Sequence, residues 1–269
     1  MSHWWTRLSQ IFVFFVVLLL AGVALLGCGG GGGGGNGGAK AVYPRFAYVA
    51  NAGDGTISIY TVDAATGRLR ANGYVAAGTR PISVTVDPLG RFVYVANYES
   101  NTVSAYTINA STGALESVGA VDAGSYPVSV TVDPSGRFAY VANQGSNSVS
   151  AYTITSTGAL TSVGTAVAAG SNPISVTVDP SGRFAYVTNA NSNSVSAYTI
   201  TSTGALSSVG AVAAGTNPTS VTVDPSGRFA YVANQGSNSV SAYRITSTGA
   251  LESVGAVAAG SYPYSVTVD

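Results

Sequence analysis

The sequence predicts an all-β fold, a β-propeller of four-stranded blades. The first observation is a repeat: "RFAYVAN" or a close variant recurs at spacings of 46, 46, 46 and 45 residues, beginning at Arg45, Arg91, Arg137, Arg183 and Arg228. The second is that each period holds four short segments rich in β-branched and aromatic residues, separated by turn sequences. After residue 40 no stretch combines helical periodicity with capping signals. Four antiparallel strands in 45–46 residues correspond to one propeller blade.

One period shows how each strand is predicted. "ISVTVD" (82–87) alternates small polar and β-branched residues and stops at the turn "DPLG". "RFVYVAN" (91–97) forms the second strand, and "YESN" turns the chain into a third, "TVSAYTI" (102–108). "NASTG" then leads to a weaker fourth strand near "LESVGAV" (115–121). The connection "DAGSYP" opens the next unit.

The two ends of the repeat region fit together in this scheme. The first unit has no "SVTVD" before "RFAYVAN", whereas a spare "SVTVD" follows the last unit at residues 265–269. We therefore expect five blades, closed by pairing of residues 265–269 with residues 45–51. A fragment of a seven-bladed propeller is the alternative.

The N-terminal residues have a different character from the repeats. A segment carrying Arg7 precedes an apolar stretch that ends in "LLGC", and Cys28 is the only cysteine. This pattern resembles a bacterial lipoprotein signal, which implies removal of residues 1–27 and acylation of Cys28. Residues 28–40 are then a lipidated, glycine-rich tether, and residues 41–269 form the propeller. We expect a lipid-anchored protein of the bacterial cell envelope, at the outer membrane or cell surface; an uncleaved signal anchor is the alternative.

The charge pattern excludes nucleic acid as a partner. Only 8% of the residues are charged, with 11 basic and 11 acidic side chains. Lys40 is the only lysine, and no basic cluster is present to attract a phosphate backbone.

Aspartate and arginine recur at the turn between the first two strands of each period. Asp at the first turn position caps backbone N–H groups, and the arginine four residues later lies across the hairpin from it. We interpret these residues as structural pairs and not as an ion site: Asp87 with Arg91, Asp133 with Arg137, Asp179 with Arg183, Asp224 with Arg228, and, through ring closure, Asp269 with Arg45.

A second set of polar residues gathers on the face that holds the connections between blades, here called the loop face. Propeller ligands usually meet this face, so a glycan or a protein partner is expected there. The candidate binding residues are Asn97, Tyr98, Tyr126, Asn143, Gln144, Asn189, Asn234, Gln235 and Tyr262. Two other interpretations are solvated loops and, for the asparagines, hydrogen bonds to nearby backbone.

The sequence offers no recognisable catalytic or metal-binding constellation. The only histidine, His3, lies in the signal segment, and Cys28 is assigned to lipidation. A Ser-His-Asp triad, a Cys-His pair and a histidine or cysteine metal site are therefore excluded from the propeller. We predict no catalytic residue, no metal and no cofactor.

The segments "RFAYVAN", "DPSGRF", "SVSAYTI" and "TGAL" resemble the YVTN-type repeats and the related lactonase-like propellers, which include bacterial 6-phosphogluconolactonase. The resemblance covers nearly all of residues 43–269 and implies a propeller, usually seven-bladed. It also implies lactone hydrolysis by His, Arg and acidic side chains on the ligand face, where this chain has no histidine. Our first expectation is a binding or scaffold module. The alternative is a hydrolase of sugar-acid lactones.

Overall fold

The computed structural model describes residues 45–269, and their strands form five consecutive antiparallel sheets. The predicted signal, Cys28 and the glycine-rich tether lie outside the described residues. None of residues 45–269 belongs to a helix long and apolar enough to cross a membrane.

Each sheet is a meander that corresponds to one blade. The first blade has β1 (Phe46–Asn51), β2 (Thr56–Val62) and β3 (Leu69–Ala76). The second has β4 (Pro81–Val86), β5 (Phe92–Asn97), β6 (Thr102–Ile108) and β7 (Leu115–Asp122). The third has β8 (Pro127–Val132), β9 (Phe138–Asn143), β10 (Ser148–Ile154), β11 (Leu160–Ser162) and β12 (Val167–Ala168). The fourth has β13 (Pro173–Val178), β14 (Phe184–Asn189), β15 (Ser194–Ile200) and β16 (Leu206–Ala213). The fifth has β17 (Pro218–Val223), β18 (Phe229–Asn234), β19 (Ser239–Ile245) and β20 (Leu251–Ala258).

The outer strand of the third blade is divided into β11 and β12. Both parts pair with β10, so together they fill the position of one strand. The interruption contains Gly164, whose φ is 64°, and it lies where this period has an extra residue at Thr165. A left-handed glycine allows the backbone to bulge without breaking the sheet.

The core lies between neighbouring blades, where tyrosines at equivalent positions of each repeat form hydrogen bonds from one sheet to the next. Tyr94 is fully buried, and its hydroxyl donates to the Gly158 carbonyl of the following blade at 3.0 Å. Tyr152 of that blade donates in the other direction, to the Asp122 carbonyl at 2.8 Å. Phe92 packs directly over Gly158, where a Cβ would overlap its ring. Each blade is thus attached to its neighbour by apolar packing and by hydrogen bonds in both directions.

The innermost strands also contact one another in a repeated way. The Val130 amide of β8 donates to Ser83 Oγ of β4 at 3.1 Å, and Val176 donates to Ser129 Oγ at 3.3 Å. The same bond joins Val266 to Ser220 Oγ at 3.4 Å. The C-terminal residues therefore lie beside β17 as the innermost strand of a further blade would.

The expected closure into five blades does not form. Residues 265–269 are not assigned to a strand, and β1 pairs only with β2 within residues 45–269. Val49 of β1 is 38% exposed, whereas the equivalent Val95 is fully buried. The C-terminal residues keep the contact to β17 that each innermost strand makes to the preceding one, so they continue the arc and do not pair with β1.

The open arc leaves both of its end faces uncovered within residues 45–269. Val254 and Val257 of the fifth blade are 65% and 69% exposed, although the equivalent valines of other blades pack against the next sheet. The predicted pairing of Asp269 with Arg45 is also wrong, because no ion pair joins them. The Arg45 guanidinium instead donates to the Ala110 carbonyl of the second blade.

Candidate functional site in the cleft between the first two blades

The four predicted asparagines are structural parts of the loop face. Asn97 is fully buried; its Nδ2 donates to Thr102 Oγ1 at 3.1 Å and to Ser104 Oγ at 2.9 Å. Its Oδ1 accepts from the Gly78 amide at 3.0 Å. The same three bonds recur around Asn143, Asn189 and Asn234. Because each amide is buried and fully occupied, these side chains shape the face and are not available to a ligand.

Three other predicted residues come together on the loop face. The rings of Tyr98 and Tyr126 stack with centroids 4.7 Å apart and planes 16° apart. The Tyr98 hydroxyl donates to Gln144 Oε1 at 3.0 Å. This row crosses from the second blade to the third and gives the surface a rigid aromatic and amide strip.

The last two predicted residues lie elsewhere on the face. Gln235 accepts from Asn217 Nδ2 at 2.6 Å, and Tyr262 is 74% exposed with its amide bound to Asn238 Oδ1. Within residues 45–269 no hydrogen bond or ring contact joins either of them to Tyr98.

The loop face has a cleft between the first and second blades, with a volume of about 770 Å³. Its polar lining includes Asp54, Arg80, Glu99, Ser100, Thr102, Ser104 and Tyr106. In later units a left-handed asparagine such as Asn101 accepts from the amide of the next connection, at Tyr126 in that case. Gly55 takes that place in the first blade and has no side chain, which leaves room for the cleft.

The charged side chains of the cleft are held in a defined arrangement. Arg80 Nη1 lies 3.3 Å from Glu99 Oε1, and the guanidinium stands 4.9 Å from the centre of the Tyr98 ring. Within residues 45–269 the Asp54 carboxylate makes no hydrogen bond or ion pair. One cation is therefore fixed against a carboxylate and an aromatic face, while a second carboxylate remains available.

The tyrosine in the cleft stays protonated, and its single proton is already used in a hydrogen bond within the fold. Burial raises the pKa of Tyr106, and the opposing hydrogen bond with Ser104 does not cancel the rise. Its hydroxyl donates to the Ala76 carbonyl at 2.8 Å.

The sequence reasoning did not select Asp54, Arg80 or Glu99. The available signal was departure from the repeat: Arg80 replaces the Tyr or Asn found before Pro in later units, and Glu99 replaces Gly145. Residues that all units share maintain the repeated fold. A site that occurs in one cleft therefore depends on residues that differ between units.

The recurrent aspartates act on the opposite face as turn caps. Asp133 Oδ1 accepts from the amides of Arg137 and Phe138 at 2.8 and 2.7 Å. Its Oδ2 accepts from the Ser135 hydroxyl, which itself accepts from Arg137 Nε at 3.2 Å.

The second blade has a direct ion pair in this turn. Leu89 stands there in place of the serine, and Arg91 Nε reaches Asp87 Oδ2 at 3.2 Å. Arg183 donates to the Ser247 carbonyl, and Arg228 donates to Ser226 Oγ, a serine that bridges to Asp224. Asp179 is capped in the same way as Asp133. Within residues 45–269 no group of three or more His, Cys, Asp or Glu side chains could hold a metal ion.

Comparison with known families identifies the chain. The family model described as "Lactonase, 7-bladed beta-propeller" matches residues 40–132, 120–223 and 174–268. The chain belongs to this lactonase propeller family. The overlapping matches reflect the repeat, and the family description indicates seven blades where residues 45–269 supply five sheets. Comparison with curated proteins found no match.

Several solved structures share the lactonase propeller fold. A candidate 6-phosphogluconolactonase from Bacteroides uniformis superposes with a TM-score of 0.75 at 20% identity, over 83% of this chain and 71% of that one. A candidate 6-phosphogluconolactonase from Bacteroides fragilis has the same TM-score and identity, over 84% and 71%. The periplasmic gluconolactonase of Pseudomonas aeruginosa gives 0.72 at 22% identity, over 82% and 69%. At these identities the similarity establishes the fold alone.

Proposed function

We propose that the protein is a hydrolase of sugar-acid lactones and that the cleft between the first two blades is its active site. The observation that carries this proposal is the meeting of Asp54, Arg80 and Glu99 in one open, polar cleft of a lactonase-family propeller. A volume of about 770 Å³ lies within the range typical of small-molecule sites. The structural relatives named as lactonases support the same reaction class.

The chemistry of the cleft suits opening of a cyclic ester. Asp54 would take a proton from water as the water oxygen adds to the lactone carbonyl, and Arg80 would stabilise the oxyanion that forms. Collapse of that intermediate breaks the ring C–O bond, and the departing alkoxide receives the proton, which yields the open hydroxy acid. Glu99 and Tyr98 would hold Arg80 in position. These groups supply the arginine and acidic roles implied by the family resemblance without a histidine.

The test is hydrolysis of glucono-δ-lactone by the purified full chain in detergent, above the spontaneous rate. Asp54→Asn should lower kcat by about 10²–10⁴-fold if it removes a general base. Arg80→Ala should lower kcat by about 10²-fold or more through loss of oxyanion stabilisation. The matched control is Asn172→Ala, since Asn172 occupies the position of Arg80 in a later unit and lies outside the cleft. A wild-type rate equal to the spontaneous rate would reject the proposal.

A binding or scaffold role for a glycan or protein partner is the second candidate. The rigid row of Tyr98, Tyr126 and Gln144 beside the cleft favours it, because stacked aromatic rings and amides recognise sugars and peptides without catalysis. Saturable binding of sugar ligands together with no lactone turnover would support this role over hydrolysis.

The cellular location remains a proposal of its own. Lipidation of Cys28 would attach the propeller to a bacterial membrane through the glycine-rich tether. Metabolic labelling with a fatty acid tests this, since the wild-type chain should be labelled and a Cys28→Ser variant should not.

A further inference from the structure

The net charge of the loop face bears on which lactones can bind in the cleft. Within residues 45–269 the turns and connections of this face contain three acids, Asp54, Glu99 and Asp122, and one base, Arg80. One positive and three negative charges give the face a net charge of −2. Two of the three acids lie in the cleft.

The single cation of this face is already neutralised. Arg80 Nη1 is paired with Glu99 Oε1 at 3.3 Å and the guanidinium covers the Tyr98 ring, so the positive charge of Arg80 is offset by a carboxylate in contact with it. Asp54, in contrast, forms no ion pair within residues 45–269. An anionic group entering the cleft therefore meets a net charge of −1, which comes from Asp54 together with the Arg80–Glu99 pair, whose charges offset each other.

The uncharged polar groups of the cleft suit a different ligand. Ser100, Thr102, Ser104 and Ser117 line it together with Tyr106 and backbone at several glycines and alanines. Hydroxyl and backbone groups can form hydrogen bonds with the several hydroxyls of a neutral sugar lactone, and none of them supplies a full positive charge to offset a phosphate.

We infer that the cleft selects uncharged aldonolactones and disfavours lactones carrying a phosphate group. This inference rests on the proposed function for its reaction, but it concerns binding and can be measured separately. A phosphate carries about −1.5 to −2 charges at neutral pH. Placed about 8 Å from one unpaired carboxylate at a water-like dielectric, it is disfavoured by about four- to sixfold in affinity.

The experiment measures binding and turnover in parallel on the full chain in detergent. Calorimetry compares gluconolactam, a non-hydrolysed isostere of the lactone, with its 6-phosphate, and rate assays compare the two corresponding lactones. We expect the unphosphorylated lactam to bind about fivefold more tightly at low salt. The preference should shrink towards unity at 1 M salt, where the screening length falls to about 3 Å.

A charge variant provides the second arm. Glu99→Gln removes one negative charge and leaves the Arg80 charge without its carboxylate partner, so relative affinity for the phosphorylated lactam should rise by about fivefold or more. Glu252→Gln is the matched control, because Glu252 pairs with Arg244 at 3.1 Å in the fifth blade, outside the cleft, and its replacement should leave the ratio unchanged.

The outcomes separate the two proposals. Equal or tighter binding of the phosphorylated lactam, or binding of neither lactam, overturns the inference. Binding with the expected preference but no turnover of either lactone supports the inference and rejects hydrolysis.

Discussion

Replacing Tyr140 with phenylalanine tests whether tyrosine hydrogen bonds between neighbouring blades stabilise the fold. The Tyr140 hydroxyl donates to the Gly204 carbonyl of the next blade at 3.1 Å, and both groups lie in the buried interface. Tyr140→Phe keeps the ring and its packing but leaves this carbonyl without a partner. Loss of such a bond costs about 1–3 kcal/mol.

The chain contains its own control for this substitution. Tyr231 holds the same place in the fifth blade, where the following sheet is missing within residues 45–269, and its hydroxyl makes no hydrogen bond there. Tyr231→Phe should therefore change the free energy of unfolding by less than about 0.5 kcal/mol.

Thermal unfolding followed by circular dichroism gives the comparison. For a domain of this size 1 kcal/mol corresponds to about 2–4 °C in Tm, so we expect Tyr140→Phe to lower Tm by several degrees and Tyr231→Phe to leave it unchanged. Equal losses from both variants would refute the reasoning, since they would mean that the fifth blade has a neighbouring sheet as the third does.

Three further predictions follow from the same contacts. Gly158→Ala should destabilise the fold strongly because the new methyl group overlaps the Phe92 ring. Gly67 has open space around it, so Gly67→Ala should cost only the strain of its positive φ, about 1 kcal/mol. Chemical denaturation measures both losses of stability. Leu89→Ser should stabilise the second blade by about 0.5–1 kcal/mol, because in the third and fifth blades the serine hydroxyl of this turn bridges Asp and Arg. An unchanged denaturation midpoint would contradict this. Burial raises the pKa of Tyr48 from 10.0 to about 12, so between these pH values the folded state retains a proton that the unfolded chain loses. The free energy of unfolding should therefore be unaffected below pH 10 and should fall from pH 10 to 12. A flat profile across that range would contradict this.

The sequence was sufficient to predict the structure of each blade, but not whether the blades close into a ring. Strand order, turn positions and the inward direction of Tyr94 follow from local alternation and turn chemistry, which repeat in every unit. Closure depends on the angle between blades. That angle is set by contacts between blades, such as Phe92 on Gly158. Closure depends on the total of these angles over all blades, which cannot be read from the sequence of one repeat.

The same distinction explains which site residues were found. Asn97 was selected because it recurs, and recurrence marks a structural role: the amide is buried and bound on all sides. Arg80 and Glu99 each occur in one unit only, and their pairing across two loops required the fold to bring them within 3.3 Å.

Filling the cleft tests the central claim most directly. Ala120 is exposed on β7 and lines the cleft; Ala211 is exposed at the same position of β16 and lies outside it. With the full chain and glucono-δ-lactone, we predict that Ala120→Trp lowers kcat/KM by at least tenfold and that Ala211→Trp leaves it unchanged. Equal kcat/KM for the two variants would show that lactone hydrolysis does not take place in this cleft.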